Sequence, residues 1–117
     1  MPKRAIETPK AKAVGPYSMA IEAGDYVYLS GQTPMDPATG KLVQADIGAE
    51  TKQCLENLKN DVVKANVFLT NMGDFAAMNA VYATYCPAPF PARSTVAVAA
   101  LPLGARVEIE LVAYRGK

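Results

Sequence analysis

Apolar and polar positions change rhythm several times along this chain, and each change marks an element. Ser18–Glu22 and Tyr26–Ser30 flank Gly24-Asp25. Two strands joined at a glycine-containing turn predict a hairpin. Asp36-Pro37-Ala38-Thr39-Gly40 is turn chemistry, because proline presets one backbone angle and glycine permits a positive one. Asp46 then offers an N-cap, and Ile47, Thr51, Cys54, Leu55 and Leu58 follow at helical spacing. The spacing predicts a helix over 47–59, with Glu50, Lys52, Glu56 and Lys59 on its wet side. Val62–Leu69 is apolar and β-branched enough for a strand. Asn71 or Asp74 caps a second helix with an inner stripe of Phe75, Met78, Val81, Tyr82 and Tyr85. Pro87, Pro89 and Pro91 stop it, since proline cannot continue the backbone ladder. Strands over 93–100 and 106–114 close the chain, joined by Pro102-Leu103-Gly104-Ala105.

The predicted order is β-β-α-β-α-β-β, an α+β domain. Each β-α-β step implies a parallel pair with a right-handed crossover, which places both helices on one face of a mixed sheet. The last strands nevertheless carry apolar residues on both sides, Val96 and Val98 one way, Ala97 and Ala99 the other. Two helices do not cover both faces, and large exposed apolar patches are rare in monomers. The second face is therefore expected to be buried against copies of the same chain. Nothing divides the 117 residues into more than one domain, with residues 1–13 read as a loosely held polar arm.

Composition mainly excludes. A net charge of +1 with no basic block gives no electrostatic footprint for nucleic acid or for a membrane surface. No apolar run approaches the ~20 residues that span a bilayer. The basic N-terminus has no apolar stretch behind it, so it does not read as a secretory signal. Cys54 and Cys86 read as small core hydrophobes in a reducing compartment, and a cytoplasmic location is the default expectation. The chain has no histidine, which removes the usual Ser-His-Asp and Cys-His sites and, with unclustered cysteines, speaks against a transition-metal centre. No glycine-rich phosphate loop is present. Chemistry is left to Arg, Glu, Asp, Tyr, Ser, Thr, backbone groups and water.

Arg93 is the residue that this background isolates. It stands alone in Pro91-Ala92-Arg93-Ser94-Thr95-Val96-Ala97-Val98-Ala99-Ala100-Leu101-Pro102, which otherwise reads as a buried strand. A guanidinium keeps its proton inside a protein and is rarely buried without a partner. It must meet a carboxylate of the protein or an anion from outside. Alternation puts Arg93 and Thr95 on one face of their strand, and groups Glu108 with Glu110 opposite Val107, Ile109 and Leu111. A structural pair of Arg93 with Glu108 or Glu110 and an anion site thus remain open alternatives. Tyr17 reads as a turn-anchored lid or a packed surface aromatic. Gly31 allows close approach of a ligand or marks a bend or bulge, and Asn79 faces a site edge or solvent. Met19, Met35, Met72 and Met78 read as gap-filling residues of core or interface.

Taken in order, Gly15-Pro16-Tyr17-Ser18, Ser30-Gly31-Gln32, Asp74-Phe75-Ala76-Ala77-Met78-Asn79, Pro91-Ala92-Arg93-Ser94 and Glu108-Ile109-Glu110 resemble the Rid (YjgF) family, and within it the reactive-intermediate deaminases. Each motif is unspecific, but five in order are specific, and the resemblance runs from about Val14 to Ala113, nearly the whole chain. The resemblance implies a chorismate-mutase-like fold, a homotrimer with clefts between subunits, and hydrolysis of 2-imino acids and their enamines to 2-keto acids and ammonia, without cofactor or metal. It assigns Arg93 to the substrate carboxylate and Glu108 to the hydrolytic water. Tyr17, Ser30, Gly31 and Asn79 match positions lining the cleft, and Thr95 stands where many members have cysteine. A non-catalytic trimer binding small carboxylates, or a chaperone-like interaction protein, are the alternatives. Two departures from the family pattern are visible. Leu58-Lys59-Asn60-Asp61-Val62-Val63 joins the first helix to the next strand almost directly, where members usually carry more helix and a loop, and Cys86 replaces an expected aromatic.

Overall fold

In the computed structural model, residues 3–6, 16–34, 36, 38–39, 41–42, 46–56, 62–86 and 88–114 are described, with 6 and 52–56 followed by backbone alone. The elements run β1 (Arg4–Ile6), β2 (Ala20–Ala23), β3 (Tyr26–Gln32), α1 (Ile47–Glu56), β4 (Val62–Leu69), α2 (Phe75–Tyr85), β5 (Ala92–Ala97) and β6 (Val107–Tyr114). They build one mixed sheet in the order β1-β2-β3-β6-β4-β5. β4 and β5 are parallel, whereas β6 is antiparallel to both β3 and β4. The α+β class and the parallel β4–α2–β5 pair agree with the sequence reading, whereas β3 and β4, also parallel, are not the pair expected of the first crossover, because β6 lies between them.

Local chemistry accounts for the boundaries. Gly24, at φ +61, supplies the left-handed residue of the β2–β3 turn. The Asp46 carboxylate accepts a hydrogen bond from the Ala49 amide at 2.8 Å, capping α1. Asn71 accepts from the Gly73 amide, also at 2.8 Å, and caps a short 3-10 turn, Met72–Asp74, that leads directly into α2.

Hydrophobic burial lies between the helices and one face of the sheet. Val67, Leu69, Met78, Val107 and Ile109 are fully enclosed there, together with Ala65 and Tyr82. Each large side chain so buried contributes about 1.5–3 kcal/mol. Along β6 the burial alternates strictly, so Glu108, Glu110, Val112 and Tyr114 belong to the other face.

Three further sequence expectations need correction. Residues 4–6, read as part of a loose arm, form β1 and pair with β2, where Arg4 and Glu22 make an ion pair. Glu50, expected on the wet side of α1, is buried, and Arg106 clasps it through two hydrogen bonds of 2.8 and 3.2 Å. The fifth strand ends at Ala97 rather than residue 100, although the Val98 amide still reaches the Leu69 carbonyl at 2.8 Å. The short connection after α1 falls on residues 57–61, and Met35 and Pro87 are also outside the described residues, as is the side chain of Cys54.

Candidate functional site

Residues directly opposite each other in a sheet share a face. Arg93, Thr95 and Ala97 of β5 lie opposite Ala65, Val67 and Leu69 of β4, all three fully buried beneath the helices. Arg93 and Thr95 therefore stand on the helix side. Glu108 of β6 lies opposite Phe68, and Phe68 lies opposite Val96, so Glu108 is on the other side. With β4 between the two strands and the sheet between the two side chains, Arg93 does not reach Glu108 or Glu110 within one chain. The internal ion pair that the sequence left open is thereby excluded.

On the helix side, the guanidinium carbon of Arg93 is 4.7 Å from the Tyr82 ring centroid and 5.6 Å from that of Phe75, both on α2. Among the described residues no carboxylate pairs with Arg93. Asn79, half-buried, is four residues after Phe75 and three before Tyr82, so it borders the same patch of helix. The Thr95 hydroxyl oxygen is buried and makes no hydrogen bond. Burial, reinforced by the neighbouring Cys86 thiol, pushes the Tyr82 phenol up to about 12, and burial also raises the Cys86 thiol.

The second group forms where β3 meets β6. The register slips between Leu29 and Gln32, a bulge that contains Gly31. A Cβ at Gly31 would stand 2.1 Å from Glu108 Oε2, so the glutamate side chain lies directly over the glycine backbone. Burial and then the charge of Glu110 raise the Glu108 carboxyl above the usual range. Glu110 itself accepts a 3.0 Å hydrogen bond from Asn66 Nδ2 on β4. The Ser30 hydroxyl donates to the Ser18 carbonyl at 2.5 Å and ties the strand to the segment that carries Tyr17, which is 48% exposed.

The sequence-predicted residues thus fall into two groups, Arg93 with Thr95 and Asn79 on the helix side, and Glu108 with Gly31 at the β3 bulge, where Ser30 adjoins Gly31 in the chain and is tied to the segment that carries Tyr17. Sequence reasoning missed the contacts of Phe75 and Tyr82 with Arg93, having taken both aromatics for core alone. It also missed Asn66 as the partner of Glu110. Among the described residues no group of three or more metal-ligating side chains occurs, and no helix is long and apolar enough to cross a membrane.

Known proteins match this chain over nearly its whole length. A RutC family protein of Pyrococcus horikoshii is 46% identical across 97% of this chain and 98% of its own. A 2-iminobutanoate/2-iminopropanoate deaminase of Dermatophagoides farinae is 47% identical across 95% of each. The crystal structure of E. coli TdcF with bound serine superposes with a TM-score of 0.89 at 38% identity, covering 97% of this chain and 99% of that one. Alignment with the Pyrococcus protein spans 124 positions, more than the 117 residues here, so that relative carries residues with no counterpart in this chain. The family model described as Endoribonuclease L-PSP matches residues 7–115. With two fifths or more of its residues shared with the Pyrococcus and Dermatophagoides proteins, the chain belongs to this YjgF/Rid family.

Proposed function

We propose that this protein hydrolyses 2-imino acids, and their enamine tautomers, to 2-keto acids and ammonia in clefts shared between subunits of a homotrimer. The observation that carries the reading is Arg93, a permanent charge with no carboxylate partner among the described residues. A guanidinium so placed suits a planar carboxylate, which it meets with paired hydrogen bonds as well as charge. The serine held by E. coli TdcF is a ligand of that chemical class.

The reaction asks little else of the site. With the carboxylate fixed on Arg93, the adjacent imine carbon is held against a water that Glu108 orients or deprotonates. Adding that water across C=N gives a carbinolamine, and expulsion of ammonia restores a carbonyl. The raised Glu108 carboxyl suits this exchange, since a carboxylate with increased proton affinity is the stronger base toward water. Thr95 and Asn79 line the Arg93 side of the cleft, and Tyr17, Ser30 and Gly31 the Glu108 side.

One small substrate meets both clusters only if the Glu108 face of one copy is brought against the Arg93 edge of another. That face also exposes Tyr26, Tyr28, Val96 and Tyr114, apolar surface of the kind a subunit contact covers. A cyclic trimer would give three equal sites.

The test generates 2-iminobutanoate with a threonine dehydratase and follows its decay. Wild-type protein accelerates the decay, and Arg93→Ala loses about a hundredfold or more of that acceleration. Arg93→Ala and Glu108→Gln, dissociated together and reassembled at equal amounts, recover about a quarter of wild-type activity, the fraction of sites drawing an intact residue from each copy. Binding of 2-oxobutanoate without turnover would make this a carboxylate-binding relative. Failure of the mixture to recover activity would sink the shared cleft.

A further inference from the structure

The protein-facing side of Arg93 is aromatic, and this has a functional reading of its own. Phe75 and Tyr82 are seven residues apart on α2, two helical turns, so they form one stripe facing β5. Both ring centroids lie within the ~6 Å over which a ring face attracts a cation. Tyr82 is only 4% exposed and Phe75 is half-buried, so the rings are fixed by the core while the guanidinium stays partly open.

A protein carboxylate in their place would hold the arginine more strongly but would occupy the donors that a substrate needs. Each incoming anion would then have to displace it. A ring face holds the cation without offering a competing negative charge. Tyr82 also stays neutral at working pH, because burial keeps its phenol far from ionising.

We infer that Phe75 and Tyr82 are positioning residues of the carboxylate clamp, holding the Arg93 guanidinium by their faces and leaving its N–H donors to the incoming anion. This rests on the reading that Arg93 takes the substrate carboxylate. It follows that ring character, not the phenol, is what matters at residue 82.

The experiment measures KM and kcat for 2-iminobutanoate and Kd for 2-oxobutanoate in Tyr82→Phe, Tyr82→Leu, Phe75→Leu and Arg93→Ala, with Val81→Ala as a packing control on the same helix. Tyr82→Phe behaves as wild type. Tyr82→Leu and Phe75→Leu each raise KM and Kd by about three- to thirtyfold, with kcat within about twofold. Val81→Ala lowers the melting temperature without moving either constant. Wild-type Kd in a folded Tyr82→Leu, beside lost binding in Arg93→Ala, would overturn the aromatic seat and leave the clamp standing. Equal losses in Tyr82→Phe and Tyr82→Leu would also overturn it, since the ring would not be the relevant feature. Unchanged binding in Arg93→Ala would remove the clamp reading and this inference together. Should Tyr82→Leu fail to fold, the half-buried Phe75→Leu decides alone by the same criteria.

Discussion

Replacing Gly31 by alanine separates the geometry of the site from the stability of the fold. The new Cβ would lie 2.1 Å from Glu108 Oε2, 2.9 Å from Cδ and 3.1 Å from Cγ. Ordinary contact begins at 3.4 Å, so Oε2 must retreat by 3.4 − 2.1, or 1.3 Å. Gly31 is outside the left-handed region, so its backbone accepts alanine, and the obstacle is the far end of a side chain that can rotate away. The fold then loses only the cost of an off-rotamer glutamate, about 0.5–1.5 kcal/mol. Catalysis loses more, because a 1 Å misplacement of a reacting group costs about a hundredfold. Gly24→Ala is the converse. Its added Cβ meets nothing within 4 Å, but φ is +61, so the strain falls on the fold at about 1–2 kcal/mol. The assays are 2-iminobutanoate decay per folded molecule and thermal unfolding. Gly31→Ala should keep most of its stability and lose its turnover, and Gly24→Ala should do the reverse. Turnover within about twofold of wild type in Gly31→Ala would refute Glu108 as the group that handles water.

Other perturbations have equally definite outcomes. Burial raises the Glu108 carboxyl, so the folded state holds its proton more tightly than the unfolded one. The site therefore costs stability as pH rises through the raised value, and Glu108→Gln should melt higher than wild type at neutral pH, with the gap closing in acid. The same variant should lose about a hundred- to ten-thousandfold in turnover. Glu110→Gln removes the second cause of the shift, so the acid limb of the pH–activity profile should move to lower pH. Arg106→Leu strips the buried Glu50 of a two-pronged partner and should cost about 1–3 kcal/mol, read as a lower denaturation midpoint. Asp46→Ala should cost about 1 kcal/mol by uncapping α1, with turnover per folded molecule unchanged.

Much of this fold is written in short-range signals. Gly24-Asp25, the Asp46 cap and the Phe75-to-Tyr85 stripe each act within a few residues, and each element formed where its signal stands. Arg93 was also legible, because a lone guanidinium in an apolar strand is conspicuous in any fold. What depends on register was not. Alternation says that Arg93 and Thr95 share a face, but not which face of the sheet Glu108 takes once β4 separates β5 from β6. Strand β1 was missed because three residues carry too little periodicity, and their pairing leans on Glu22, far along the chain. Glu50 looked solvated because its partner Arg106 comes from the opposite end of the sequence. Phe75 and Tyr82 were legible as core, and only the three-dimensional packing put a cation against them.

The position of β6 has a kinetic consequence. Of the six strands, β6 is synthesised last, and it is the one that joins the β1–β3 meander to the β4–α2–β5 unit, since among the described residues neither half pairs with the other except through it. During synthesis the two halves can each gather local contacts, but the sheet stays divided until β6 threads between them. Such late closure over a long sequence distance slows folding and leaves strand edges open meanwhile. A nascent chain stalled before Val107 would present two incomplete sheets to the cell, with β3 and β4 both unsatisfied along the edges that β6 later fills.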